Sequence, residues 1–249
     1  TKTGSGKPAN EGNRSASGAR EIVLDVLLEI LEKKQYSHLV LQRALAKYQY
    51  LDKQERSFIK RTVDGTLERL MQVDCLIESY SSVKLRKMKP VIRTILRMSV
   101  YQICFMDRIP DSAACNEAVK LAVRRGFSGL KGFVNGVLRN VSRHKDEITW
   151  PDDSTAFCLP QWIFSMWERQ YGKEAARTMA ESFLKERPLT VRMNLSLASR
   201  EEIADSLESQ GVKVRESGFA EDVVFLSQVD YLESLDAFLD GWIQVQDLS

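Results

Sequence analysis

The chain has 249 residues, of which 43% are hydrophobic and 28% charged, a composition typical of soluble globular proteins. No apolar run approaches the roughly 20 residues that cross a bilayer, and the polar, Gly- and Ser-rich N-terminus is unlike a secretory signal. We therefore expect a cytoplasmic protein. The cysteines and histidines show no metal-ligand spacing, so we expect no metal site.

The net charge of +2 conceals a strong asymmetry along the chain. Residues 1–20 carry four basic and one acidic residue, residues 21–145 carry 23 basic and 13 acidic residues, and residues 146–249 carry 9 basic and 20 acidic residues. This division predicts two units, of which only the first is expected to bind a polyanion. Nucleic acid is the polyanion we infer.

Residues 1–18 lack large apolar side chains, and residues 19–145 show helical periodicity throughout. A segment without apolar surface cannot offset its ordering entropy, so we predict a disordered tail over residues 1–18. In the second segment, Ile22, Val26 and Ile30 recur at the four-residue spacing of a buried helix face. The segment is predicted to form an all-helical bundle.

Local signals mark the ends of several helices in this bundle. Asp52, followed by Glu55, resembles a capping box and predicts a long helix that reaches about Tyr80. Pro90 fits the first turn of the next helix, and Pro110 ends that helix.

The acidic part, residues 146–249, is predicted to be a smaller α+β domain. Two helices are expected at Pro160–Tyr171 and Lys173–Lys185. The period then changes, and the pattern predicts in turn a strand, a capped helix and two further strands: Leu189–Leu195, Ser199–Gln210, Val212–Arg215 and Val223–Leu226. The chain ends shortly after the apolar segment Gly241–Asp247, so we expect the natural protein to continue into a further domain. The predicted fold class is mainly α.

Two groups of basic residues are the candidate nucleic-acid contacts, because Lys and Arg are suited to phosphates. The first has no acidic residue within it and contains Lys84, Arg86, Lys87, Lys89, Arg93 and Arg97. The second contains Lys120, Arg124, Arg125, Lys131, Arg139, Arg143 and Lys145. Lys89, Arg93 and Arg97 are four residues apart and are expected to share one exposed helix face. The alternative is a solvated face without a ligand.

Other features indicate packing rather than chemistry. Gly132 and Gly136 lie one helical turn apart, which predicts close packing of a neighbouring backbone or, alternatively, a surface for RNA. No glycine-rich loop follows a predicted strand, so the sequence shows no cradle for a nucleotide or adenosylmethionine. No catalytic residue is assigned.

Several segments of the helical part resemble the NusB-like RNA-binding fold. They are Arg61–Arg69, Ile95–Ile103, Asn116–Val119 and Phe133–Arg139. Together with Pro160–Trp162 and Arg192–Asn194, they resemble the version found in the Sun/Fmu/RsmB family of 16S rRNA cytosine-5 methyltransferases. The resemblance covers residues 19–249, with a NusB-like domain at 19–145 and a connecting domain at 146–249.

The resemblance implies an enzyme whose catalytic domain lies beyond this sequence. That domain uses S-adenosylmethionine and two cysteines, and none of its motifs matches a residue here, so the 249-residue chain is expected to be inactive and to hold no cofactor. The expected partner is 16S rRNA or a small-subunit precursor, and a protein partner is also compatible. Arg20 matches the RNA-contacting arginine of NusB-like domains.

Three interpretations remain open from the sequence. The first is an RNA-positioning region of a methyltransferase. The second is a non-enzymatic NusB-like antitermination or ribosome-assembly factor, which has no evident use for the acidic extension. The third is a helical scaffold with an incidental basic surface.

Overall fold

The computed structural model describes residues 11–185, 188–229 and 232–246, and it describes side chains from residue 18 onward. The chain forms two compact units, Thr1–Leu184 and Lys185–Ser249. The first helix begins at Glu11, so the predicted disordered tail is wrong over residues 11–18. Extending an existing helix gains one hydrogen bond per residue and needs no apolar side chain. Residues 1–10 of the predicted tail lie outside the described residues.

Seven helices build the main part of the first unit, in the sequence range that was predicted to be helical. They are α1 (Glu11–Leu31), α2 (Ser37–Lys47), α3 (Lys53–Glu68), α4 (Leu70–Tyr80), α5 (Pro90–Phe105), α6 (Asp111–Arg124) and α7 (Lys131–His144). Helix α5 lies in the middle and contacts α1, α3, α4, α6 and α7. Its Ile95, Leu96 and Met98 have no exposed surface.

The predicted long helix from Asp52 to Tyr80 is in fact two helices. Its start is confirmed, because the Asp52 carboxylate accepts a hydrogen bond of 2.7 Å from the Glu55 amide. The helix ends at Arg69, whose φ and ψ of −98° and 16° are not helical. Both helices contact α5, but α3 also packs on α1, whereas α4 also packs on α7. One straight helix could not serve both sets of contacts.

Three short helices follow the bundle and belong to the same compact unit: α8 (Asp153–Ala156), α9 (Gln161–Tyr171) and α10 (Lys173–Phe183). The buried Gln72 of α4 donates a hydrogen bond of 2.7 Å to the carbonyl of Ala156. Arg69 donates one of 3.4 Å to the carbonyl of Leu184. The compact units therefore divide near residue 185, beyond the domain boundary predicted at residue 146. The net charge of the sequence changes sign near residue 146, within the first compact unit.

The second unit is a four-stranded antiparallel sheet with helices on one face. Its elements are β1 (Leu189–Met193), α11 (Arg200–Ser209), β2 (Lys213–Glu216), β3 (Val223–Ser227), α12 (Asp236–Leu239) and β4 (Ile243–Val245). The strand order is β2-β3-β1-β4. The predicted fold class, a mainly α protein with a smaller α+β part, is confirmed. Helix α12 and strand β4 were not predicted.

Alternation along the strands separates the two faces of this sheet. Val191 of β1 lies opposite Val224 of β3, and Met193 lies opposite Ile243 of β4. These side chains are buried and form the core of the second unit with Ile203, Leu207 and Ala237 of the helices. The residues between them along each strand point to the other face.

One glycine of the bundle is required by packing, and it is not one of those singled out from the sequence. A Cβ at Gly65 of α3 would overlap the ring and hydroxyl of Tyr101 on α5. At Gly132 and Gly136 of α7, a Cβ would meet no heavy atom within 4 Å. The predicted close packing at Gly132 and Gly136 is therefore wrong, because their side of α7 faces solvent.

We expect Gly65→Ala to lower the free energy of unfolding by about 1–3 kcal/mol, because the added methyl overpacks the contact with Tyr101. The matched control is Gly136→Ala, which should raise it by roughly 0.5–1 kcal/mol, since Ala is the better helix former in open space. Urea unfolding followed by circular dichroism measures both. Equal effects of the two substitutions would contradict the packing described here.

Candidate nucleic-acid interface

Four exposed cations lie close together in the connection between α4 and α5. We call residues Lys84–Lys89 the basic segment; it contains Lys84, Arg86, Lys87 and Lys89, all exposed. Leu85–Lys87 forms a turn of 3₁₀ helix. None of the four cations forms an ion pair with any residue in the described part of the chain. Their charge is therefore available to a ligand.

The backbone of the basic segment is held in place by its neighbours. The Leu85 amide donates a hydrogen bond of 3.2 Å to the Glu78 carboxylate of α4. Arg93 of α5 donates one of 3.1 Å to the Leu85 carbonyl. Met88 is only 7% exposed and anchors the segment to the hydrophobic core. The cations are thus carried on an ordered backbone, which lowers the entropic cost of binding a ligand.

Arg93 and Arg97, which were predicted to be exposed, are largely buried. The Arg93 guanidinium lies 2.6 Å from the Glu32 carboxylate of α1, and its side chain is 16% exposed. Arg97 forms two hydrogen bonds of 2.7 Å to Asp74 of α4, and its side chain is 12% exposed. Helix α5 is apolar on nearly every side, which is the sequence signal that these arginines need buried partners.

Arg20 of α1 is also part of the interior. Only 6% of it is exposed. Its Nε donates a hydrogen bond of 3.0 Å to the Gln102 side chain, and its guanidinium lies 5.0 Å from the centroid of the Phe58 ring. Burial lowers the pKa of Arg20, and the nearby Glu117 carboxylate opposes that shift. The group predicted to contact RNA therefore makes contacts within the protein.

The second basic group is divided between paired and exposed cations. Lys120 lies 2.6 Å from Glu117. Arg124 lies 3.2 Å from Glu21, and Arg125 lies 2.7 Å from Asp25, so both arginines connect α6 to α1. These carboxylates offset the positive charge of the group. Lys131 and Arg139 are exposed on α7, and Arg139 donates a hydrogen bond of 3.2 Å to Asn135.

The cysteine side chains are poorly suited to nucleophilic chemistry. Burial raises the pKa of Cys75, Cys115 and Cys158, and it raises the pKa of Cys104 to about 12. A thiol reacts as its thiolate, which these shifts disfavour.

Among residues 11–185, 188–229 and 232–246, no three His, Cys, Asp or Glu side chains are grouped so as to hold a metal ion.

Among the described strands, only β1 leads into a helix longer than four residues, and this connection does not fit adenosylmethionine. The connection from β1 to α11, residues 194–199, contains no glycine. The Ser199 hydroxyl already caps the Glu202 amide, and the Glu202 carboxylate accepts from the Ser199 amide. With Glu201 beside it, this acidic first turn would repel the carboxylate of the cofactor's methionine part.

No helix in the described ranges is both long and apolar enough to span a membrane.

Comparison with known proteins identifies the helical unit. The model of the NusB family matches residues 17–143. The chain belongs to the NusB family. A second model, described as a methyltransferase RsmF/B-like, ferredoxin-like domain, matches residues 159–231. The resemblance inferred from the sequence motifs is thereby confirmed.

The chain spans about half the length of the curated relatives it matches. It is 33% identical over 239 residues to the probable ribosomal RNA small subunit methyltransferase B of Bacillus subtilis, covering 94% of this chain and 53% of that protein. It is 29% identical over 238 residues to the protein of the same name from Synechocystis, covering 93% of this chain and 53% of the relative.

Solved structures share the fold of this NusB-family chain at lower identity. The crystal structure of PH0851 has a TM-score of 0.67 and 18% identity, covering 94% of this chain and 53% of that one. A chain in the crystal structure of a plectonemic RNA supercoil has a TM-score of 0.50 and 20% identity, covering 55% of this chain and 99% of that one.

We expect Arg97→Ala to destabilise the NusB-family bundle by about 2–4 kcal/mol, because it leaves Asp74 with two unmade charged hydrogen bonds. The matched control is Arg86→Ala, which removes an exposed cation and should cost less than about 0.5 kcal/mol. Chemical denaturation measures both. Similar stability of the two variants would show that the Arg97–Asp74 pair contributes little.

Proposed function

We propose that the chain is the RNA-holding N-terminal part of an S-adenosylmethionine-dependent 16S rRNA (cytosine-5) methyltransferase that acts in the cytoplasm. The observation that carries this proposal is the order of the two matched domains. A NusB-family unit is followed by an RsmF/B-like ferredoxin-like domain, and the relative named probable ribosomal RNA small subunit methyltransferase B aligns over 94% of this chain. We assign the methyl-transfer step to a part of the complete protein outside these 249 residues.

The basic segment is the surface to which we assign the rRNA backbone. Its four cations are exposed, have no ion pair with a described residue and are carried on an ordered backbone. Phosphate contacts supply most of the affinity of such surfaces and position the RNA without reading its sequence. Lys131 and Arg139 are the next candidates. Arg20, Arg93 and Arg97 are assigned to the interior instead.

We expect replacement of Lys84, Arg86, Lys87 and Lys89 by Gln to weaken the binding of 16S rRNA helix fragments. The slope of log affinity against log salt concentration should become shallower by about 0.7–0.9 for each phosphate that the variant no longer neutralises. Fluorescence anisotropy titrations at several salt concentrations measure both quantities, with circular dichroism as the folding control.

The control variant removes the same charge from exposed positions elsewhere in the first unit. It carries Gln at Lys53, Lys60, Arg169 and Lys173. Its affinity and salt slope should change much less than those of the basic-segment variant. If the affinity of the two variants fell equally, only the overall charge would matter and the basic segment would not be the RNA site.

We expect the 249-residue chain to bind adenosylmethionine no better than background and to transfer no methyl group. The acidic, already capped start of α11 is the physical reason. Isothermal titration calorimetry tests the first statement, and saturable micromolar binding would contradict it.

The complete protein should transfer a labelled methyl group from adenosylmethionine to cytosine in 16S rRNA. Failure of that transfer, with RNA binding intact, would favour a non-enzymatic NusB-like factor.

A further inference from the structure

One face of the sheet in the second unit is not used by its hydrophobic core. Helices α11 and α12 contribute to the core on the other face. The outward positions define what we call the open sheet face, whose residues relevant here are Thr190, Arg192, Lys213, Arg215, Phe225 and Gln244. Arg192, Lys213, Arg215 and Gln244 are exposed, and Thr190 and Phe225 are half-buried.

An aromatic residue stands near the middle of the open sheet face. Phe225 lies on β3, one of the two central strands, opposite Thr190 of β1. It does not belong to the core cluster of the unit. The Arg215 guanidinium of β2 lies 4.8 Å from the centroid of its ring. The guanidinium thus lies over the ring, and an incoming base would take its place there, because a ring and a planar cation can both stack on a nucleic-acid base.

The charge of this face is opposite to that of the unit that carries it. Residues 185–249 contain 13 acidic and only 6 basic residues, yet Arg192, Lys213 and Arg215 all lie on the open sheet face. Arg192 is paired with Asp222. Glu216, the one carboxylate within the four strands, lies opposite Val224 and so points to the core side. No outward position of these fully described strands carries a carboxylate, so the face is complementary to a polyanion.

We propose that the open sheet face binds single-stranded RNA, with one base stacked on Phe225 and the phosphates contacted by Lys213 and Arg215. A ring on a flat sheet can reach a base only when that base is not stacked within a duplex. This site shares no residue with the basic segment. It rests on the proposed function only because both assume that the ligand is RNA. An enzyme that modifies a base needs that base out of the helix, and a face of this kind holds the unpaired strand.

The test uses the whole chain and a fluorescent, unstructured RNA of roughly six nucleotides, within the range bound by one such sheet. Phe225→Leu keeps an apolar side chain and removes the stacking ring. We expect the affinity to fall by roughly 5- to 150-fold, the equivalent of one stacked base. The matched control is Phe219→Leu, which makes the same change at a residue of this unit that is 73% exposed and lies outside the strands. Its affinity should be unchanged.

Two further measurements separate this site from the basic segment. The basic-segment variant should retain the affinity for the short RNA, and Phe225→Leu should retain the affinity for rRNA helix fragments. Ultraviolet cross-linking of the parent chain should attach nucleotides to the peptide that contains Val223–Ser227. A negative result for the open sheet face therefore leaves the test of the basic segment valid, and the reverse also holds.

Substitution of Lys213 and Arg215 by Gln covers the case in which Phe225→Leu does not fold, because both residues are exposed. This pair should also weaken the binding of the short RNA and flatten its salt dependence. Unchanged affinity in every folded variant of the face would overturn the proposal and leave the face to a protein partner. An equal fall in affinity for Phe219→Leu, or cross-links confined to the helical unit, would also overturn it.

Discussion

Two arginines of the central helix α5 fix the arrangement of the helices around them. Burial of a guanidinium is costly unless its charge is paired and most of its N–H groups find partners. Arg97 finds them in Asp74 of α4, at 2.7 Å from both oxygens, and Arg93 finds one in Glu32 of α1, at 2.6 Å. Helices α1, α4 and α5 must therefore keep one relative position. Because Arg93 also donates to the Leu85 carbonyl, the same requirement orders the backbone of the basic segment.

The features that sequence patterns predicted correctly depend on neighbouring residues. Asp52, Pro90 and Ser199 each start a helix, because a cap needs only its own side chain and the first turn. The orientation of a helix face depends on distant partners. The four-residue spacing placed Arg93 and Arg97 on one face of α5, but only the packing of α1 and α4 shows that this face is interior. The break at Arg69 was missed for the same reason.

Net charge along the sequence was an imperfect guide to the candidate surfaces. In the basic part, carboxylates of α1 and α6 pair with Lys120, Arg124 and Arg125 and remove much of their apparent surplus. In the acidic part, strand alternation collects three of the six basic residues of 185–249 on one face. The continuous apolar run Val223–Leu226 concealed this face, because it predicts a strand but does not reveal that Phe225 lies outside the core.

The contact between Gly65 and Tyr101 makes two positions of the chain share one volume. The Tyr101 ring occupies the space that a Cβ at residue 65 would need, so neither position can accept a larger side chain while the other stays as it is. Substitutions at these two sites should consequently be inherited as a pair. A homologous chain with a side chain at position 65 would carry a smaller residue at position 101. The residues at these two positions of α3 and α5 would therefore vary together among homologous chains.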